Sequence, residues 1–209
     1  MKMAYLLCVF GTVVLIAVVN LLIRPPFSFY GLQIGWLSVI LAVLLSVVAV
    51  IAVDGVFALI IRRLLPKKWF GKDRKFFLVS KRECRFYEKI GIKKWKDHIL
   101  ELGCFTAFSK SKLSDPKNNE YIERFLLESN YGLVIHLVCS VVGFSIIFLF
   151  PLAFALNFGV PVAAANVILN LISAAILRYN TPKLQTLYRY NERTARLQKE
   201  AAATETENP

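Results

Sequence analysis

EKIGIKKWKDHIL, residues 88–100, lies at the centre of the only long polar stretch in an otherwise apolar chain, and its setting decides the fold. From Arg62 to Asn130 there are 18 Lys and Arg against 9 Asp and Glu, so this stretch carries +9 of the formal net charge of +12. Outward from it, on both sides, the sequence becomes apolar in long blocks. Blocks of about 20 residues match a ~30 Å hydrocarbon core at ~1.5 Å rise per helical residue. With 56% hydrophobic residues and a mean hydropathy of +0.54 over 209 residues, the composition excludes a water-facing globule.

Met3 to Ile23 is a nearly unbroken apolar run between Lys2 and Arg24-Pro25-Pro26. It exceeds the apolar core of a signal peptide and has no clear small-x-small cleavage site, so an uncleaved first span is expected. Pro25 and Pro26 stop that helix and start a short extracytoplasmic hairpin through Phe27 to Gly35. Ile34 to Ile61, interrupted only by Asp54-Gly55, forms a second span, tilted or emerging into the interface after Gly55. Arg62-Arg63 and Lys67-Lys68 fix its cytoplasmic end. A third span begins near Tyr131 and runs past Phe150, with a kink at Pro151 and a turn at Asn157 to Pro161; a fourth covers about Val162 to Leu177. The two outer connections hold only Arg24, which sets both termini in the cytoplasm of a multi-pass cell-membrane protein.

The expected fold is therefore all-α: a polytopic membrane protein with four transmembrane helices and interfacial helices on the cytoplasmic side. Residues 1–61 hold spans one and two, 62–130 the basic aromatic-rich segment, and 131–177 spans three and four. Residues 178–199 form a basic interfacial helix and 200–209 a disordered tail. In the central segment Lys and Arg alternate with Trp69, Phe70, Phe76, Phe77, Phe86, Tyr87, Trp95, Phe105 and Phe108, the pattern of a chain lying among lipid headgroups. Gly91 and Gly103 interrupt it, Ser109 to Asn119 makes an exposed loop, and Asn119 to Ser129 an amphipathic helix leading into the third span.

A pI near 9.7 is explained by membrane lipids and the positive-inside bias, so nucleic acid is not expected as a partner. The same charge would attract an anionic acyl donor. Cys8, Cys84, Cys104 and Cys139 form no CxxC pair, and neither a disulfide nor a metal site is expected. There is no internal repeat, GxGxxG, P-loop or GxSxG, and four spans without repeats or broken helices argue against a transporter.

Polar groups inside apolar blocks are costly unless partnered, and few occur here. His136 shares a helical face with Gly132, Ser140 and Gly143; Asn166, Asn170 and Ser173 form a second stripe; Asp54 stands alone. Amides of this kind also glue helices together, and that is the reading for Asn166 and Ser173. Asp54 lies eight residues before Arg62, His136 five after Tyr131, and Asn170 eight before Arg178. These offsets place all three roughly 8–12 Å inside the cytoplasmic rim, where they can converge. An imidazole there would take a proton from a hydroxyl attacking a thioester, with a carboxylate fixing its tautomer and an amide or cation steadying the oxyanion. His136 is the candidate base, Asp54 its orienter, and Asn170 or Arg178 the oxyanion support. His98 follows Asp97 directly, and adjacent helical residues point about 100° apart, so it is expected as a solvated helix-end histidine. Glu128, two turns before His136, would pair with Arg178 or Lys96 at the rim or face water.

Three stretches, FYEKIGIKKWKDHIL from Phe86, ESNYGLVIH from Glu128 and NLISAAILRYNTPKLQTLYR from Asn170, together resemble the glycosyl-4,4'-diaponeurosporenoate acyltransferase family. The resemblance covers about Phe76 to Arg193 and is poor between Gly103 and Asn119; it departs at Asp97-His98 and hardly touches the first two spans. It implies a small membrane enzyme esterifying a fatty acid to the sugar of a glycosylated C30 carotenoid acid. Trp95, Lys96, Glu128, Arg178, Tyr179 and Asn180 fall on the matching stretches and are expected to bind substrate. The partners implied are membrane lipids, a lipid-like glycosylated acceptor, and acyl-CoA or acyl carrier protein as donor, with no bound cofactor. The rival expectation is a non-catalytic membrane scaffold or lipid-binding protein.

Overall fold

The apolar blocks fold as helices. The computed structural model describes residues 2–23, 28–29, 32–33, 35–99 and 113–207. The first block is helix α1 (Lys2–Ile23) and the second α2 (Trp36–Leu64). Between them β1 (Ser28–Phe29) pairs antiparallel with β2 (Leu32–Gln33); the other residues of the expected hairpin lie outside those described, Gly35 excepted. The polar stretch holds α3 (Lys81–Lys89), α4 (Ile92–Trp95) and 3₁₀ turns at Lys67–Phe70, Lys75–Phe77 and Lys96–His98. Then come α5 (Asn119–Val142), a 3₁₀ continuation over Gly143–Leu149, α6 (Leu152–Phe154), a π turn over Ala155–Gly159, and α7 (Val160–Glu207). Among the described residues the fold is thus all-helical apart from one two-residue ladder. Among the described residues, three stretches are long and apolar enough to cross a membrane, Leu37–Leu64, Asn119–Leu149 and Ala155–Ala201, with Phe10–Asn20 as a shorter apolar helix.

Local chemistry explains where these elements begin and end. Asn118 accepts at Oδ1 from the N–H groups of Glu120 (3.0 Å) and Tyr121 (3.2 Å), satisfying two of the donors that open α5. No breaker follows, so the amphipathic helix expected at Asn119 to Ser129 is continuous with the third span. Ser80 caps α3 by accepting from Glu83 N–H at 3.1 Å, and α3 ends at Gly91, whose φ of 69° suits a residue without Cβ.

The turn expected at Asn157 to Pro161 lies instead at Phe150-Pro151. Phe150 is extended (φ −124°, ψ 155°), as a residue before proline prefers, and Pro151 opens the next helical turn. Pro161 is accommodated in the first turn of α7, directly after the π turn, where a missing N–H is tolerated. The carbonyl of Asn157, four residues earlier, accepts from Asn20 Nδ2 of α1 at 3.1 Å, and both side chains are buried. Helix α7 also continues through Pro182 and past Ala201 to Glu207, across residues expected as tail, since alanines are the strongest helix formers.

The chain divides into two compact units. The first comprises residues 1–65, 94–100 and 134–174. Its core joins Ala17, Val39, Ala42, Val43, Val50, Ile146, Phe158 and Ala163. Small residues at Ala42 and Ser46 let backbones approach, and Ser46 Oγ donates back to Ala42 O at 2.9 Å. The opposite face of α2 exposes Leu37, Leu41, Leu44, Leu45, Val48 and Ile51. An apolar stripe of that length has lipid as its natural solvent. The second unit comprises residues 66–93, 101–133 and 175–209. Its core is Ile122, Phe125, Leu126 and Leu184; Phe70 stacks on Tyr131 at 3.8 Å, and buried Asn130 donates to Phe70 O at 2.8 Å.

Candidate active site

Within the first unit, α2, α5 and α7 each bring a polar side chain to one point. His136 Nδ1 lies 2.8 Å from Asn170 Oδ1, and Asn170 Nδ2 donates to Asp54 Oδ2 at 3.2 Å. Asp54, His136 and Asn170 thus meet as a chain, with Asn170 in the middle. The orientation of the amide follows from its partners. A backbone carbonyl can only accept, so the NH₂ end of Asn170 faces Asn166 O and Asp54 and its oxygen faces the imidazole. An oxygen there requires the proton on Nδ1 and leaves the basic lone pair on Nε2. Asn170 Nδ2 also donates to Asn166 Oδ1 (3.0 Å) and Asn166 O (3.1 Å), one turn earlier on α7. Both its N–H groups are therefore engaged, which suits it to orienting His136 rather than to holding an oxyanion. Asp54 Oδ1 is buried and makes no hydrogen bond to a described residue.

The wall of this cluster is built from the small stripe on α5. Cys139 Sγ lies 3.6 Å from Asp54 O, and Asn166 Nδ2 lies 3.5 Å from Cys139 O. One turn on, Gly143 is buried where an added Cβ would come 2.5 Å from Asn166 Nδ2 and 3.3 Å from Val50 Cγ2. Gly143→Ala is accordingly expected to push Asn166 off Asn170 and to cost about 1–3 kcal/mol of overpacking. Thermal unfolding of the purified protein in detergent checks this, and an unchanged midpoint would show that α5 and α7 separate freely.

The second unit holds a different constellation. Arg178 grips Glu83 in a two-point fork, Nε to Oε1 at 2.8 Å and Nη2 to Oε2 at 2.7 Å, while Nη1 donates to Phe76 O at 2.6 Å. Tyr87 OH donates to Glu83 Oε1 at 3.0 Å. Burial pushes the Glu83 carboxyl up, but the hydrogen bonds from Arg178 and Tyr87 outweigh it, and the group ends below its ordinary 4.5. Burial and the bond to Glu83 push the Tyr87 phenol to about 12. A depressed carboxyl stabilises the fold above its unfolded value and loses that contribution as pH falls through the folded one. Glu83→Gln is therefore expected to lower the unfolding midpoint at pH 7 and to match the wild type once the pH is well below 4.5. A pH series of melting curves measures this; a constant gap would rule the fork out as the cause.

The remaining expected site residues divide between the units. Trp95 and Lys96 belong to the first, where Lys96 pairs with Asp97 at 3.4 Å and Trp95 is half-buried. Glu128, Arg178, Tyr179 and Asn180 belong to the second. Arg178 pairs with Glu83, a residue not singled out by sequence; Tyr179 is buried, with Lys183 Nζ 4.1 Å above its ring. Glu128 and Asn180 are half-buried. The side chain of His98 lies outside the described residues. Asn166, expected only as helix glue, is a full member of the cluster. Its i, i+4 spacing to Asn170 was the available signal.

Among the described residues, three helices long and apolar enough to cross a membrane carry a His–Asn–Asp hydrogen-bond chain, which suggests a membrane protein. The protein belongs to the glycosyl-4,4'-diaponeurosporenoate acyltransferase family, whose model matches residues 66–190, more than half of the chain. No curated protein and no solved structure matches it. The matched range includes Glu83, His136, Asn166, Asn170 and Arg178; Asp54 precedes it.

Proposed function

We propose that the protein transfers a fatty acyl group from a thioester donor, coenzyme A or acyl carrier protein, to a hydroxyl of a glycosylated acceptor embedded in the membrane. The family points to the sugar of a glycosyl-4,4'-diaponeurosporenoate. The observation that carries this reading is the chain from Asp54 through Asn170 to His136. Asp54 anchors the amide, the amide holds the proton on Nδ1, and Nε2 takes the proton of the sugar hydroxyl as its oxygen attacks the thioester carbonyl. The tetrahedral intermediate then collapses with loss of the C–S bond. The proton passes from the imidazolium to the leaving thiolate, giving an ester and a free thiol. Asp54 Oδ1 would accept from a second hydroxyl of the sugar.

In this reading α1 is a fourth span and both termini are cytoplasmic, which the near absence of cations from the outer connections supports. The cluster then lies roughly 8–12 Å below the cytoplasmic rim. A lipid-confined acceptor and a donor arriving from the cytosol can meet at that depth.

Lipid and pigment mass spectrometry on cells lacking the gene tests the reaction. One acylated species should vanish while its unacylated precursor accumulates, and the wild-type gene should restore it. An unchanged profile would sink the reading and leave the amides as helix glue in a scaffold.

A further inference from the structure

The second unit contains an open groove of about 810 Å³ between the residues around α3 and the polar part of α7. Lys81, Arg85 and Arg189 line it, and no carboxylate does. None of the three forms an ion pair with a described residue. Glu83, the acid nearest in sequence to Lys81 and Arg85, is held by Arg178 and Tyr87 and is not among the groove's lining residues. The rest of the wall includes Leu78, Val79 and Pro182, an apolar surface beside the three cations.

We propose that this groove binds the phosphorylated nucleotide end of a coenzyme A thioester. The choice of a thioester donor rests on the acyl-transfer reading above. Three cations without a counterion call for a ligand with several negative charges, and two of them are arginines, whose planar forks suit phosphate oxygens. The apolar wall gives a flat heterocycle a surface to lie on. The volume falls within the range of pockets for small organic ligands.

The test uses the full chain purified in detergent, with free coenzyme A as the probe. Coenzyme A should bind, and pantetheine, which lacks the phosphates, should not compete with it. Arg85→Gln combined with Arg189→Gln should weaken binding by about tenfold or more. The wild-type protein supplies a second readout, because Cys84, a free thiol, also lines the groove. Coenzyme A should slow maleimide labelling of the peptide containing Cys84. Unchanged affinity in the double variant, or unprotected Cys84, overturns the proposal. Equal protection by inorganic phosphate assigns a bare anion site and overturns the nucleotide; protection by phosphatidylglycerol vesicles but not by coenzyme A assigns a lipid headgroup and overturns it as well. Binding is measured without turnover, so the two ideas fail separately. If the acylated lipid still depends on the gene while coenzyme A does not bind, only the groove assignment falls.

Discussion

His136→Ala is expected to lower acyl transfer by about 10²–10⁴-fold, the usual contribution of a positioned general base, at matched abundance in the membrane. The loss should fall on kcat and leave the KM for the donor nearly unchanged, because the imidazole acts on the hydroxyl as it attacks and not on the thioester as it binds. His136→Gln separates this role from folding, since a glutamine amide can still donate toward Asn170 Oδ1 while offering no base. Glutamine should therefore restore stability but not rate. Wild-type turnover by either variant would remove His136 from the chemistry and keep it as a structural residue.

Asn170→Leu should have the largest effect on stability. The amide side chain touches Asp54, Asn166 and His136 at once. Deleting it leaves the Asp54 carboxylate without its donor in an apolar surrounding, a loss expected at about 2–4 kcal/mol. Catalysis should fall as well, because nothing then fixes the proton on Nδ1. Combining Asn170→Leu with Asp54→Leu removes both halves of the broken bond, and replacing both partners by apolar groups is far less costly than orphaning one. The double variant should regain most of the stability while remaining inactive, with a coupling term visible in a double-mutant cycle. Simple additivity would mean that the 3.2 Å contact contributes nothing.

The convergence of Asp54, His136 and Asn170 was legible in the sequence for a physical reason. A helix rises by a fixed amount per residue, so offsets from charged flanks convert directly to depth. The order of contact was not legible, because depth says nothing about rotation about each helix axis. Asp54 was expected against His136, yet Asn170 stands between them. The Arg178–Glu83 fork was beyond reach for a different reason. The two residues are 95 apart in sequence, and neither lies in a periodic pattern that names a partner. The turn was misplaced because prolines at 151 and 161 look alike in a sequence. What separates them is the backbone before each, extended at Phe150 and a π turn at Ala155–Gly159, and one bond to that π turn comes from Asn20, 137 residues from its acceptor.

That long-range bond also bears on how the chain is assembled. A ribosome delivers Asn20 to the bilayer well before Asn157 exists. In the interval its amide has a partner of its own, Ile16 O at 2.8 Å in the same helix, so α1 can wait in lipid without an orphaned donor. Pro161 takes away the N–H four residues after Asn157, and Asn20 Nδ2 of α1 supplies a donor to that carbonyl. The bond from Asn20 can therefore form only after the later segment has been made. The N-terminal helix, outside the stretch that marks the family, in this way offers a ready donor to a segment made much later.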